Sequence, residues 1–168
     1  GGGNTAIDAA RACRRLGATT TILYRRTRKE MPAIEEEIED ALEEGVKLEY
    51  LAAPIGFNKE GDKITTMKAI RMELGEPDSS GRRRPVPIEG SEFDIPASFV
   101  IPAISQAPDF TGFDSLIEGR DWIKIDDSGA STKVDDVWAG GDAVNLDLVT
   151  TAIGHGRRAA ESMDRKLR

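Results

Sequence analysis

The sequence holds one cysteine, Cys13, and one histidine, His155, in 168 residues. A single cysteine excludes an internal disulfide, a CxxC redox pair and a cysteine-ligated iron–sulfur cluster within this chain. It fits the reducing cytosol. No apolar run approaches the roughly 20 residues needed to span a bilayer, and the first residues lack the basic-then-apolar layout of a signal peptide. A cytoplasmic protein with no membrane partner is expected. Basic charge is also short: 23 Lys and Arg stand against 30 Asp and Glu, a formal charge of −7, which argues against nucleic acid as a main partner. Internal repeats and low-complexity tracts are absent. With 39% hydrophobic residues, the chain can bury one ordinary core with a small subdomain attached.

What is present reads as α/β. Ala6, Ala9, Ala10, Cys13 and Leu16 recur at three- and four-residue spacing, which predicts a helix over Asn4 to Leu16, closed by Gly17. The short β-branched run Thr19 to Tyr24 predicts a buried strand. A second helix, Ala33 to Glu44, follows Pro32 with Ile34, Ile38, Ala41 and Leu42 on one face, and a strand, Val46 to Leu51, comes after Gly45. The acidic outer face of that helix reads as solvated surface. Extended runs at Ile64 to Leu74, Val86 to Ile88 and Phe99 to Ile104, parted by turn-rich stretches such as Glu76 to Gly81, predict an antiparallel meander leading into a buried strand. Arg82, Arg83 and Arg84 read as part of an exposed turn. After an irregular stretch, Gln106 to Arg120, two short strands are expected at Trp122 to Ile125 and Val137 to Ala139, then a helix over about Leu148 to Leu167.

Two motifs carry chemistry. Gly1-x-Gly3-x-x-Ala6 fits the G-x-G-x-x-G/A fingerprint of a dinucleotide-binding turn, in which glycines make the turn and admit a pyrophosphate, and the free N–H groups of the following helix favour its charge. Such a turn normally follows a parallel strand, so the chain is expected to begin inside its fingerprint, leaving an open edge beside Thr19 to Tyr24 that favours dimerisation or aggregation. About 20 residues beyond the glycines an NAD enzyme places a carboxylate for the ribose 2′-OH. Here stand Arg25 and Arg26, which suit a 2′-phosphate and point to NADP, with Arg28 and Lys29 assisting. The alternative is that both arginines are solvated charges. The second motif is Gly140-Gly141-Asp142 at the end of an expected strand, before a helix carrying Thr151 and Ala152; a carboxylate there can accept from sugar-like hydroxyls, and the helix start can stabilise negative charge on a flavin.

Two such motifs in this order resemble the glutamate synthase small subunit and its relatives, including the flavin and NADPH part of dihydropyrimidine dehydrogenase. The matching residues are Gly1 to Ala6 (Gly1, Gly2, Gly3, Asn4, Thr5, Ala6) with Asp8, Tyr24-Arg25-Arg26, Met31-Pro32-Ala33, Ala103-Ile104-x-Gln106 and Gly140-Gly141-Asp142. The resemblance implies a Rossmann-like NADPH domain at residues 1–110, inserted into an FAD domain whose returning segment is 120–168. It implies that Gly1 to Ala6, Arg25, Arg26, Lys29 and Gln106 serve NADPH, and that Gly141, Asp142, Thr151 and Ala152 serve FAD. Hydride would pass from NADPH to FAD and electrons onward to a large subunit or acceptor protein, with iron–sulfur clusters only upstream of this chain. No side chain need act as acid or base, and no metal site is implied. This sequence departs from the family at Ser105 and in Asn145-Leu146-Asp147, where glycine is usual. A thioredoxin-reductase type of activity shares the architecture but requires a cysteine pair. His155 and Cys13 read as structural residues. A non-catalytic NADP-binding module or docking fragment is the alternative from another class.

Overall fold

The computed structural model describes residues 1–78, 81–117 and 122–168. These fall into two compact units, 1–105 and 106–168. Ser79 and Ser80 of the expected turn, and residues 118–121 at the expected start of the second domain, lie outside the described residues.

The first unit opens with α1, Asn4–Arg15. It ends as expected at Gly17, whose φ of 94° lets the Ala18 N–H reach the Cys13 carbonyl (3.1 Å) and the Gly17 N–H reach the Arg14 carbonyl (3.0 Å). A Cβ would oppose that left-handed closure. The buried stripe differs from the expected one. Ala6, Ile7 and Ala10 face the core, Cys13 is half-buried, and Leu16 is 88% exposed. Leu16 is the helix C-cap, where the chain is already turning away.

The strand β1, Thr21–Tyr24, is joined through α2, Glu35–Glu43, to a parallel partner, β2, Lys47–Tyr50, with Thr21 opposite Lys47 and Tyr24 opposite Tyr50. The core lies between this pair and the two helices: Ile7, Ile22, Tyr24, Ile38, Ala41 and Val46 pack together. Residue α2 starts two positions later than its periodicity predicts, because the Ala33 N–H donates to the Gly2 carbonyl (3.2 Å) and the Ile34 N–H to Asn4 Oδ1 (2.9 Å). Those bonds hold Pro32 to Ile34 in the loop, leaving Ile34 exposed; Leu42 also sits at the solvent margin.

An antiparallel meander follows: β3, Ala52–Glu60, β4, Lys63–Pro77, and β5, Arg83–Pro96, in the order β3-β4-β5. No run was expected at β3; β4 extends the expected Ile64 to Leu74 a little at each end, and β5 is much longer than Val86 to Ile88. Pro54, Pro85 and Pro87 interrupt the sequence pattern but stand on the two edge strands, where a missing N–H is tolerated. The expected buried strand at Phe99 to Ile104 is a correction: no strand is assigned there, and Phe99 is 77% exposed. Among the described residues no strand pairs with it. A groove of about 980 Å³, lined by Ala9, Ala10 and Cys13 of α1, by Thr19 to Leu23 and by Ala97 to Ile101, lies in this unit instead.

In the second unit the two expected short strands reduce to single bridges, Ile125 with Ser131 and Ala130 with Trp138. Asp126 explains this. Its Oδ1 accepts from the Ser128 N–H (2.8 Å), the Ser128 hydroxyl (2.7 Å) and the Ala130 N–H (3.1 Å), bending the chain too tightly for a ladder. The closing helix α3, Val149–Leu167, forms as expected and is pinned to this hairpin by the Trp138 indole N–H donating to Ser162 Oγ (3.1 Å).

Candidate functional site

The glycine turn before α1 is shaped by close approach. A Cβ on Gly1 would lie 2.0 Å from the Ala103 carbonyl oxygen, and one on Gly2 would lie 2.4 Å from the Tyr24 ring, whereas Gly3 has open space to 3.8 Å. Gly2, which the fingerprint treats as a free position, is therefore under tighter steric constraint than Gly3. Tyr24 is held in place by its hydroxyl, which donates to the Glu30 carbonyl (2.6 Å). Asn4 serves as an acceptor for the Ile34 N–H, so the Met31-Pro32-Ala33 stretch is tied directly to the turn. Thr5 is exposed and Ala6 buried.

Helix α1 has no side-chain N-cap and no acidic residue in its first turn. Its positive end is thus left for an external anion.

Arg25 is exposed at the end of β1 and makes no hydrogen bond or ion pair with the described residues. Arg26 differs from the expectation of an open guanidinium. It is 5% exposed, donates from Nε to the Arg83 carbonyl (2.7 Å) and from Nη2 to Asp78 Oδ2 (2.8 Å), and so belongs to the base of the meander. Lys29 is exposed in a 3-10 turn, Arg28–Glu30, whose start is fixed by a capping box between Thr27 and Glu30. Arg28 is paired with Glu35 and Glu39 of α2, and Arg11 with Glu37 (2.5 Å), Asp40 (3.1 Å) and Glu44 (2.9 Å). The acidic face of α2 is largely exposed, as expected of a solvated surface, and also supplies counter-charges for neighbouring arginines. Arg83 turns its side chain onto the Gly75 carbonyl (3.1 Å) and the Leu74 carbonyl, rather than outward.

The second turn is built differently. Gly140 lies on α3, where an added Cβ would come within 2.6 Å of the His155 Cβ; Gly141 sits at φ 59° with Ala152 beneath it. His155 is buried, and its Nδ1 accepts the Gly141 N–H at 3.1 Å. Sequence reading treated His155 as structural without finding this partner, since fourteen residues separate the two. Asp142 is exposed and lines a hollow of about 450 Å³ with Asp147, Leu148, Val149, Ala152 and Ile153 at the uncapped start of α3. Thr151 is half-buried in the first helical turn. Gln106, the first residue of this unit, is exposed with no hydrogen-bond partner among the described residues. Ser105 just before it has φ 82°, a left-handed conformation that favours the glycine its position usually carries. Among the described residues no group of three or more His, Cys, Asp or Glu side chains could hold a metal ion, and no helix is long and apolar enough to cross a membrane.

One glycine turn opens the uncapped helix α1 and the other packs onto α3, in a chain of α/β class. Residues 1–156 match the pyridine nucleotide-disulphide oxidoreductases, and the chain belongs to that family. It is 46% identical over 172 residues to the NADP(+)-dependent formate dehydrogenase subunit beta of Moorella thermoacetica, covering 100% of this chain and 24% of that protein. It is 42% identical to the glutamate synthase [NADPH] small chain of Azospirillum brasilense, covering 97% of this chain and 35% of that one. The chain thus spans about a quarter to a third of these relatives. In fold it is similar to thioredoxin reductase of T. acidophilum, with a TM-score of 0.79 at 20% identity over 100% of this chain and 51% of that structure.

Proposed function

We propose that this chain is the NADPH-binding portion, with part of the FAD-binding portion, of a cytosolic flavin-dependent oxidoreductase. Unit 1 would correspond to the NADPH domain and unit 2 to the returning FAD segment. The observation that carries the reading is Arg25: an exposed guanidinium with no partner among the described residues, directly after Tyr24, whose ring packs on Gly2 of a glycine turn that opens an uncapped helix. Such an arrangement suits a dinucleotide pyrophosphate on the α1 start and a 2′-phosphate on Arg25, with Lys29 adding charge nearby. Gly1 and Gly2 pack against Ala103 and Tyr24, and the open approach to the backbone lies at Gly3, where a phosphate could reach the start of α1.

The second turn fits a flavin nucleotide on the same grounds. Gly140 and Gly141 bring backbone down onto α3, Asp142 offers acceptors for hydroxyls, and the start of α3 at Thr151 and Ala152 supplies N–H groups and a positive helix end. When both cofactors are bound, the chemistry supplied is hydride transfer from nicotinamide to flavin. The chain's own residues bind and orient; none is required to move a proton. Electron transfer onward to a large subunit or acceptor protein, and to clusters outside this chain, is consistent with relatives named as subunits of NADPH or NADP-dependent oxidoreductases. The open edge of β1 and the groove beside it favour a homodimer of the isolated chain.

The test is the Arg25→Ala substitution in the full natural protein, with dissociation constants for NADPH and NADH measured at low and high salt. Losing a charge-assisted bond costs about 1.5–3 kcal/mol, so NADPH should weaken at least about tenfold while NADH changes little, and the difference should shrink with salt. Equal losses for both nucleotides would remove the reading.

A further inference from the structure

Arg25 and Arg26 are neighbours in sequence, yet the end of β1 sends one into solvent and the other into the protein. Burying a guanidinium is costly unless charge and hydrogen bonds compensate. Here Asp78 supplies the charge and the Arg83 carbonyl a second acceptor, both from the region where β4 gives way to β5. The backbone is fastened at the same place. The Leu51 N–H donates to the Arg26 carbonyl (3.2 Å), and the Leu51 carbonyl accepts the Met72 N–H (2.8 Å). Leu51 adopts φ 51° to make both bonds, a conformation rare for leucine. Leu51 thus joins the end of β1, the exit of β2 and β4, while the Arg26 side chain reaches the start of β5.

We propose that Arg26 is the positioning residue of the 2′-phosphate subsite and not a phosphate ligand: through Asp78 it pins the end of β1 to the meander, so that Arg25 is presented beside the glycine turn. This rests on the reading of Arg25 given above. For Arg26 to reach a phosphate itself, its guanidinium would have to leave a site in which its side chain is 6% exposed, breaking its bonds to Asp78 and the Arg83 carbonyl. The Asp78 carboxylate also cancels the Arg26 charge, so discrimination between NADPH and NADH falls on Arg25.

The experiment measures the ratio of NADH to NADPH dissociation constants in the full natural protein for Arg25→Ala, Arg26→Ala, the double variant and Asp78→Asn. A residue acting through Arg25 adds nothing once Arg25 is gone, so the double variant should lose no more discrimination than Arg25→Ala. Asp78→Asn keeps the guanidinium but removes its counter-charge; loosening of the strand end should lower the preference for NADPH by about fivefold, equivalent to roughly 1 kcal/mol. A direct ligand behaves the opposite way. The losses would add, and Asp78→Asn would raise the preference by freeing a charge for the phosphate. Additive losses, or an unchanged or raised preference in Asp78→Asn, overturn the proposal while leaving the Arg25 reading intact. If Arg26→Ala does not fold, the sign of the Asp78→Asn effect decides alone. No change in Arg25→Ala removes the reading and this proposal with it.

Discussion

The two glycine turns solve one problem, bringing bare backbone to a helix start, with different supports. The first rests on an aromatic ring and on backbone: Gly2 against Tyr24, its carbonyl accepting from Ala33, and behind it a core of Ile7, Ile22 and Ile38. The second rests on a helix surface and a single buried side chain, His155, in a unit whose buried hydrophobic residues among those described are Ile123 and Ala159. The first turn is thus fixed mainly by shape, and the second by a polar bond. Shape is intolerant of added volume, whereas a polar support should respond to loss of one acceptor.

The largest expected effect breaks the first support. Gly2→Ala puts a methyl into the Tyr24 ring, and overpacking of this kind costs about 1–3 kcal/mol, so both NADPH and NADH should weaken by about fivefold or more. Gly3→Ala, with open space, should do much less; isothermal titration of both nucleotides in the two variants would expose an error if Gly3 proved the more sensitive.

A smaller effect is expected at the second support. His155→Leu leaves the Gly141 N–H without its acceptor, at a cost of about 1 kcal/mol, while His155→Gln, able to accept through Oε1, should restore part of it. Hydrogen exchange at the Gly141 amide reads this directly: faster in the Leu variant, slower again in the Gln variant. Equal exchange in all three proteins would show that the bond supports nothing.

The smallest effect concerns the ion pairs between α1 and α2, which back the first turn. Hydrogen bonds from Arg15 and then Arg11 lower the Glu44 carboxyl from 4.5 to about 2. A carboxyl depressed on folding adds stability above its unfolded value and loses it as pH falls. The contribution should therefore be complete above about 4.5 and vanish toward 2. Thermal melts of Glu44→Gln and the parent should differ near neutral pH and converge below that window; a constant difference across it would assign Glu44 no titrating role.

Much of this was legible in order along the chain. The glycine spacing, the small-residue helix face, the basic pair after a β-branched strand and the terminal Gly-Gly-Asp are local patterns, and local patterns survive in one dimension. Three readings were not recoverable that way. Leu16 had the right period but stood where the helix was ending. Proline hid the lengths of β3 and β5, because only sheet topology shows that they are edges. Phe99 to Ile104 had strand composition, but a strand needs a neighbour to pair with.

By itself, then, the sequence determined the α/β class, two glycine turns and a pair of arginines directly after a β-branched strand. Only tertiary structure decided which guanidinium is open. Arg25 and Arg26 are indistinguishable in one dimension. Their difference comes from Asp78 and Arg83, 52 and 57 residues further on, and from the alternation of a strand end that buries one side chain and leaves the next in water.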